Sequence, residues 1–501
     1  MSSSSLGRKI LRGVAGSALG QGAAFILSFL LTPWIVRKLG ADGYGFYTLL
    51  WSVLSYSLIL NLGSFYAVQH FVSKWQEIKE HRGDLALLLR KTLFYVWGAG
   101  GLLAFAVWNG RYFLSHYFLH GSLSREGPRV FELLSLAIPF YLTVQFVNNI
   151  IWGLKRFSLG NLLTAFQALL ITGGASVLLY FGFGLRAIAL LFIFSQLCLS
   201  VIGLKILYPL FLHSSSSLDS QDRKSFLSFA AKSAMPLIFV TLVSQGDRAA
   251  VGFWLSLTQL GYYSLSASLA QKFNSVSASV AAVSFPILSE LVGRGDEDHL
   301  KRIYLRTSEL AFFALLPLSI FSFVLIPQFM GLWLGPVFSD ACTWPFRIMV
   351  IANLLNLSIY MPHTIAAAKG SPHWVSYAWI TKALIAAPLW AFLIPRWGIS
   401  GAAIGLLVAE VAVVFPFLIK VHSLTLNLGL FEFLASSVAR PLISSLALGI
   451  FAFLFHAMIG TWAGLIGFSL LGVIIYIGIS YLLIDSDAKD LLIQEISLKI
   501  R

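Results

Sequence analysis

Five charged residues lie inside long apolar stretches of the sequence, where charge is unusual. Asp247 and Arg248 are neighbours in one stretch, Lys272 lies in the next, and Lys382 and Glu410 lie in two later ones. A charge at the middle of a bilayer costs at least about 2.5 kcal/mol on insertion scales, so such side chains usually face partners or a water-filled cavity. These five residues are therefore candidates for binding an ionic group inside a membrane.

Arg248 and Lys272 each lie 12 residues from Leu260, at the turn between their two stretches. At 1.5 Å per residue, each would be about 18 Å from that turn, so we expect them at the same depth in an antiparallel hairpin. Two cations with one nearby carboxylate, Asp247, leave a surplus of positive charge, which favours a site for an anionic group such as a phosphate. The alternative is an Asp–Arg or Asp–Lys pair that only fixes the hairpin.

The elements that carry these residues are predicted to be transmembrane helices. Of the 501 residues, 58% are hydrophobic and 11% are charged, and the mean hydropathy is +0.82. Such a composition excludes a soluble protein and predicts an all-α, polytopic membrane protein. We expect fourteen spans, near residues 13–36, 44–72, 92–114, 131–153, 159–181, 187–211, 230–256, 262–290, 307–333, 345–368, 374–394, 400–420, 433–457 and 461–484.

The basic residues indicate orientation. The net charge is +14, but most of the 35 lysines and arginines fall in alternate short loops and in the two terminal segments. This is the positive-inside pattern, which places both termini in the cytoplasm and argues against a nucleic-acid partner. The first apolar stretch is too long for a signal peptide, so we expect it to be retained as a span of a protein of the inner (cytoplasmic) membrane.

The sequence also contains an internal repeat. The turn Leu39 to Tyr47 is echoed by Leu257 to Tyr263, and Gly184 to Ala189 is echoed by Gly398 to Ala403. Aligning Gly43 with Gly261 and Gly184 with Gly398 gives offsets of 218 and 214 residues, so both matches indicate one duplication of a six-span unit. Parallel repeats of this kind are typical of transporters that bind substrate between two bundles.

The repeat, together with a serine-rich polar stretch, predicts the domain organisation. We expect a six-helix bundle over 1–213, a cytoplasmic linker over 214–227, a second six-helix bundle over 228–424, and two additional spans with a tail over 425–501. The two additional spans could widen a cavity, face lipid or bind a lipid tail.

Polar residues at equivalent positions suggest inward-facing sites in both halves. Through the repeat, Lys382 corresponds to Gln167 and Glu410 to Gln196. Lys382 and Glu410 either contribute to a substrate site or form a salt bridge. Five further polar residues could line a path or hydrogen-bond between helices; these are Asn148, Asn149, Asn353, Asn356 and His363. Arg347, just inside span ten, is expected to snorkel to the outer interface.

Enzymatic chemistry is not indicated. The two cysteines form no metal-binding or disulfide pattern, and the sequence has no phosphate-binding glycine loop and no arrangement of nucleophile and base. No loop is large enough to house a catalytic domain. We therefore expect neither a cofactor nor a metal, and not an enzyme.

Several motifs resemble one transporter family. These are the segment Phe29 to Gly40 of span one, the Gly43-Tyr44-Gly45-x-Tyr47 turn, Asn61-Leu62-Gly63 and Gly261-Tyr262-Tyr263. With the span count, they resemble the polysaccharide transporters of the multidrug/oligosaccharidyl-lipid/polysaccharide (MOP) flippase superfamily, which includes O-antigen and capsular-repeat flippases. His70 departs from the pattern, since an arginine is expected there.

The resemblance implies an alternating-access exporter. Its substrate would be a polyprenyl-pyrophosphate-linked oligosaccharide moved from the inner to the outer leaflet, with membrane lipid around it and a polysaccharide polymerase or other assembly proteins as partners. The residues proposed for substrate are Arg248, Lys272, Asp247, Lys382 and Glu410. Two alternatives stay open: an ion-coupled drug/cation antiporter of the same superfamily, and a non-transporting scaffold of a polysaccharide assembly complex.

Overall fold

The computed structural model describes residues 3–75, 82–119, 123–212, 219–371 and 373–483; side chains are described from Ile26 onward, except at 82, 123, 275–280, 282–283 and 286. Throughout these residues the chain is α-helical, with short 3-10 and π-helical segments and no β-strand. The prediction of an all-α polytopic membrane protein is confirmed.

The helices follow one another with short connections. The first eight are α1 (Ser3–Ser57), α2 (Ser64–Trp75), α3 (Arg82–Phe118), α4 (Leu123–Gly153), α5 (Phe157–Ala168), α6 (Gly174–Tyr180), α7 (Leu185–Phe211) and α8 (Ser220–Trp254). The next eight are α9 (Leu257–Ala270), α10 (Lys272–Arg294), α11 (Glu297–Leu334), α12 (Pro336–Ala368), α13 (His373–Thr425), α14 (Leu430–Phe433), α15 (Ala439–Phe455) and α16 (Trp462–Leu483).

Eleven of the described helical stretches are long and apolar enough to cross a membrane. Two of them belong to helices long enough for two crossings each, since α1 has 55 residues with an interruption at Gly40, φ 71°, and α13 has 53 residues with an interruption at Gly398, φ 57°. A positive φ is accessible to glycine because it lacks a Cβ. Helices α9 and α10 together cover the stretch predicted as span eight. The described helices therefore account for the fourteen predicted spans.

Span two is not the continuous helix that its apolar run suggests. Helix α1 ends at Ser57, a 3-10 turn covers Leu58–Asn61, and Leu62 and Gly63 have φ values of 44° and 76°. The Asn61 side chain replaces the lost helical bonds: its Nδ2 donates to the Leu58 carbonyl at 2.7 Å, and its Oδ1 accepts from the Gly63 N–H at 2.8 Å. The break is thus stabilised by local side-chain bonding to the backbone.

The contacts between Cα atoms divide the chain into two compact units, Met1–Gly261 and Tyr262–Arg501. In the first unit, α4 packs on α3 and α7, and α1 packs on α5. Its core contains fully buried phenylalanines, with Phe46 and Phe131 in edge contact at 5.6 Å.

Helix α8 packs on α1 and α2 within the first unit. The approach at α2 is close, because a Cβ added to Gly63 would lie only 2.1 Å from the Ala230 carbonyl oxygen. The turn expected at Leu260 lies earlier, at Leu255 and Ser256, and Leu257 begins helix α9. The two segments that revealed the repeat approach each other: a Cβ on Gly45 would lie 1.9 Å from the Leu257 carbonyl oxygen, and Thr258 donates a hydrogen bond to Asp42. Glycine is required where backbones approach this closely.

In the second unit, α12 packs on α11 and α13, and α10 packs on α11 and α12. The last two spans pack beside this bundle, since α15 contacts both α11 and α16. Polar contacts hold them there: Arg440 is 3.7 Å from Glu309, Ser437 donates to the Leu305 carbonyl at 3.1 Å, and Tyr476 donates to the Phe313 carbonyl at 2.7 Å. The placement of these spans, undecided from sequence, is thus against α11.

Candidate functional site

The two segments of α13 form a tight hairpin that brings Lys382 and Glu410 together. On one side of the bend at Trp397 and Gly398 lies the segment with Lys382, and on the other the segment with Glu410. A Cβ on Gly401 would lie 2.3 Å from the Leu393 carbonyl oxygen, and one on Gly405 would lie 2.8 Å from Trp390. These glycines allow the two segments to pack closely enough for their polar side chains to meet.

Lys382 and Glu410 form an ion pair between Nζ and Oε1. Both residues are almost completely buried, with 5% and 3% of their surface exposed. Asn356 on α12 donates its Nδ2 to the same carboxylate oxygen at 2.9 Å, and the Lys382 ammonium lies 4.7 Å from the centre of the Trp379 ring. The alternative of a salt bridge between these residues is therefore realised, with additional polar and aromatic contacts.

The facing side of α12 carries further polar groups. Asn356, Tyr360 and His363 are spaced by four and three residues, which places them on one face of the helix. Tyr360 interacts electrostatically with Glu410, and His363 with Lys382. Within the described part of the chain, Glu410 Oε2 and His363 Nε2 are buried without a hydrogen-bond partner. Sequence reasoning treated Asn356 and His363 singly; their shared helical spacing with Tyr360 is the signal that would have grouped them.

The first unit holds a neutral counterpart of the charged pair. Gln167 on α5 donates its Nε2 to Gln196 Oε1 on α7 at 3.4 Å, and Gln196 is fully buried. The repeat makes these two residues the counterparts of Lys382 and Glu410, and the structure shows that both pairs are bonded.

The polar face of α12 also has a counterpart in the first unit, on α4. Tyr141, Gln145 and Asn148 carry the same spacing of four and three residues, and the Tyr141 hydroxyl hydrogen-bonds to Ser55 and Gln145. Both units thus carry a polar pair and a helix with polar residues at this spacing.

Asp247 and Arg248 lie on α8 in the first unit. Asp247 has 3% of its surface exposed, and its Oδ1 accepts a 2.7 Å hydrogen bond from the Arg248 backbone N–H. The Arg248 guanidinium is partly buried and donates to Gln245 Oε1 at 3.2 Å. Tyr56 on α1 interacts electrostatically with both charges. The arrangement is a cation and an anion on one membrane helix, surrounded by hydroxyl and amide groups.

Lys272 is exposed and is the first residue of α10, directly after the break at Gln271. It belongs to the second compact unit, whereas Arg248 belongs to the first. A common site for Lys272 and Arg248 stays a prediction.

Arg347 has a structural role that sequence reasoning missed. Its Nε donates to the Phe323 carbonyl at 2.9 Å, and its guanidinium lies 5.1 Å from the Phe323 ring and 5.4 Å from the Trp344 ring. Four residues after Phe323 comes Pro327, which has no N–H to offer that carbonyl. Arg347 supplies the missing donor. A proline within an apolar run, followed in the next span by an unexplained arginine, is the signal for such a contact.

Metal and thiol chemistry find no further support here. Within the described residues, no three or more His, Cys, Asp or Glu side chains are grouped so that they could hold a metal ion. Cys198 is partly exposed and Cys342 is buried, and both are free thiols. Among the described residues, two groups of charged side chains in membrane helices are thus candidates: the pair in α13 with its α12 face, and the charges on α8.

Comparison with known proteins supports the resemblance inferred from the sequence. The model of a family described as "Polysaccharide biosynthesis protein" matches residues 128–343. A putative O-antigen transporter of Shigella flexneri is 20% identical over 399 residues, which is 79% of this chain and 93% of the relative.

Solved structures of the MOP superfamily share the fold. The lipid II flippase MurJ, in an inward closed conformation, has a TM-score of 0.70 at 13% identity, over 95% of this chain and 99% of MurJ. An inward-facing multidrug resistance MATE family transporter gives 0.65 at 14% identity, over 79% and 94% of the two chains. A MOP superfamily transporter from Pyrococcus furiosus gives 0.60 at 15% identity, over 83% and 96%. The chain therefore shares the fold of these transporters.

Proposed function

We propose that this polytopic protein is a flippase of the MOP superfamily that moves a polyprenyl-pyrophosphate-linked oligosaccharide from the inner to the outer leaflet of the cytoplasmic membrane by alternating access. The match of residues 128–343 to a polysaccharide biosynthesis family and the similarity to a putative O-antigen transporter support this substrate class. We also propose that both termini are cytoplasmic and that a polysaccharide polymerase acts beside the protein.

The observation that carries the proposal is the partly buried guanidinium of Arg248 in a membrane helix. A pyrophosphate cannot cross hydrocarbon without replacement of its hydration, and a guanidinium offers a fixed set of N–H donors that matches phosphate oxygens. The polyprenyl chain can stay in lipid during the same step. The Arg248 backbone N–H already donates to the Asp247 carboxylate, which helps to fix the helix beside the guanidinium.

The remaining predicted site residues take separate roles in this proposal. Lys272, exposed at the start of α10, supplies a second cation for the pyrophosphate. Asp247 positions Arg248 rather than contacting the anionic substrate, since like charges repel. Lys382 and Glu410 are buried and bonded to each other, and this favours a role away from the substrate.

The proposal is tested with Arg248→Ala and Lys272→Ala in the organism's own polysaccharide pathway. Loss of a charge-assisted hydrogen bond costs about 1.5–3 kcal/mol, so each variant should lower surface polysaccharide by about tenfold or more at equal protein level in the membrane. Arg248→Lys should retain part of the activity. Lys232→Ala is the matched control, because Lys232 is an exposed cation on the same helix. Wild-type polysaccharide in both alanine variants would contradict the cationic site and favour the scaffold alternative.

A drug/cation antiporter is the second candidate, favoured by the buried carboxylate of Asp247 and by the MATE-like fold. An antiporter of cationic drugs needs a buried acid more than a buried base. Asp247→Asn should then raise sensitivity to cationic drugs and leave surface polysaccharide unchanged. Under the flippase proposal, the same variant reduces polysaccharide and leaves drug sensitivity unchanged.

A further inference from the structure

The ion pair in α13 is a costly feature for which packing gives no reason. Inserting a charged side chain into the apolar part of a membrane is unfavourable. The first unit has the same arrangement without charge, because Gln167 and Gln196 hydrogen-bond at the equivalent positions. The duplicated frame therefore packs well around a neutral pair, and the charges of Lys382 and Glu410 serve another purpose.

We propose that the Lys382 ammonium occupies a monovalent-cation site of the second unit as a covalently tethered ion. Glu410 would be the charged ligand of that site, and the second unit would need no exchangeable alkali cation there. This inference concerns ion requirement, and it does not depend on the identity of the transported substrate.

The surroundings of the ammonium are those that suit a small cation. Hard monovalent and divalent cations prefer oxygen ligands, above all carboxylates, and the ammonium pairs with the Glu410 carboxylate. On another side it lies 4.7 Å from the Trp379 ring centre, and an aromatic face attracts a cation of any identity. Neither contact requires the geometry of a lysine in particular.

Oxygen atoms beyond the ion pair are also available. Glu410 Oε2 is buried and, in the described part of the chain, has no hydrogen-bond partner. The Tyr360 hydroxyl interacts electrostatically with the same carboxylate, and Asn356 holds Oε1 through its amide nitrogen. If the lysine side chain were removed, a buried carboxylate would remain, with Oε1 still bonded to Asn356 and Oε2 open to a new partner. Such a group binds an alkali cation or takes up a proton.

The test measures the melting temperature of the purified full-length protein in detergent at constant pH and ionic strength. Choline chloride is exchanged stepwise for LiCl, NaCl or KCl. The wild-type Tm should not change, because its site is already filled. Lys382→Ala should melt lower in choline, and one of the small cations should raise its Tm by about 3–5 °C with saturation. Methylammonium, which restores the missing group, should have a similar effect.

Three controls separate a cation site from a purely structural ion pair. Lys382→Ala combined with Glu410→Gln should lose the cation response. Gln167→Ala should show no cation response, since the equivalent pair of the first unit has an amide, Gln196, in place of the carboxylate. Lys382→Gln, which retains side-chain volume, should respond like Lys382→Ala and serves if the alanine variant does not fold in choline.

Several results would overturn the proposal. One is a folded Lys382→Ala protein whose Tm depends on pH but not on any cation, because the carboxylate would then simply be protonated. Another is a saturable cation response in the wild type that Glu410→Gln abolishes, because the site would then hold an exchangeable ion. Failure of both lysine variants to fold in every cation, while the double glutamine variant folds, would assign the lysine to structure alone.

Discussion

The first unit joins Gln167 and Gln196 by an amide hydrogen bond where the second unit joins Lys382 and Glu410 by an ion pair. In each case a helix with polar residues spaced by four and three lies in the same unit, Tyr141 to Asn148 on α4 and Asn356 to His363 on α12. The two units thus share one frame and differ in charge. The difference indicates that helix packing sets where polar groups meet, whereas the choice between neutral and charged groups is independent of packing.

The largest loss of stability should come from removing one charge of the ion pair in the second unit. Glu410→Ala leaves the Lys382 ammonium buried without its counter-ion, and loss of one partner of a buried ion pair costs about 3–5 kcal/mol. The expected result is a strong drop in Tm and in the amount of monodisperse protein, measured by size exclusion after heating. A loss no greater than that of a neutral glutamine substitution in the first unit would contradict a buried charge pair.

A smaller effect is expected in the first unit. Gln196→Ala removes a buried amide and one hydrogen bond to Gln167, and a net hydrogen bond with its unsatisfied partner is worth about 1–2 kcal/mol. The same heating assay should show a modest drop in Tm. A loss as large as that of Glu410→Ala would mean that the amide pair carries more of the first unit's stability than its chemistry suggests.

The smallest effect should come from making the second unit resemble the first. Replacing Lys382 and Glu410 together by glutamine removes both charges and keeps an amide pair. Exchange of a buried ion pair for neutral groups of similar volume is often neutral or stabilising. The double variant should therefore lie within about 1 kcal/mol of wild type, and the single and double variants form a mutant cycle that gives the coupling energy directly. A double variant as unstable as Glu410→Ala would show that the second unit does require charge.

Much of this frame was predictable from hydropathy and self-similarity. The predicted spans follow from apolar length, which the bilayer thickness fixes, and the repeat offset matched Gln167 to Lys382 and Gln196 to Glu410, two pairs that are each bonded in the structure. Prediction of a continuous helix from an apolar run fails where a polar side chain replaces helical hydrogen bonds, as Asn61 does at the break in span two. An apolar run has the same composition whether its helix is continuous or interrupted.

Contacts between residues far apart in sequence were not predictable. Gly63 approaches Ala230, and Gly45 approaches Leu257. The sequence shows that a glycine is present, but it does not indicate which other part of the backbone packs against it. The partner of Arg347 was hidden for a related reason: the acceptor is a backbone carbonyl freed by Pro327, and backbone groups leave no residue-type signal. For the candidate site, the sequence identified the charged residues and offered a Lys382–Glu410 salt bridge as an alternative, whereas the contacts of that pair with Asn356 and Trp379 came from the structure.

The hairpin formed by α13 bears on how the protein enters the membrane. Lys382 and Glu410 lie on consecutive spans joined by the bend at Trp397 and Gly398, so no other membrane segment separates them during synthesis. The two spans can therefore partition into the bilayer together, with each charge already neutralised by the other. Insertion as a helical hairpin avoids the separate cost of placing a lone lysine and then a lone glutamate in hydrocarbon. The short bend allows this, because it keeps the two segments adjacent while they enter the membrane.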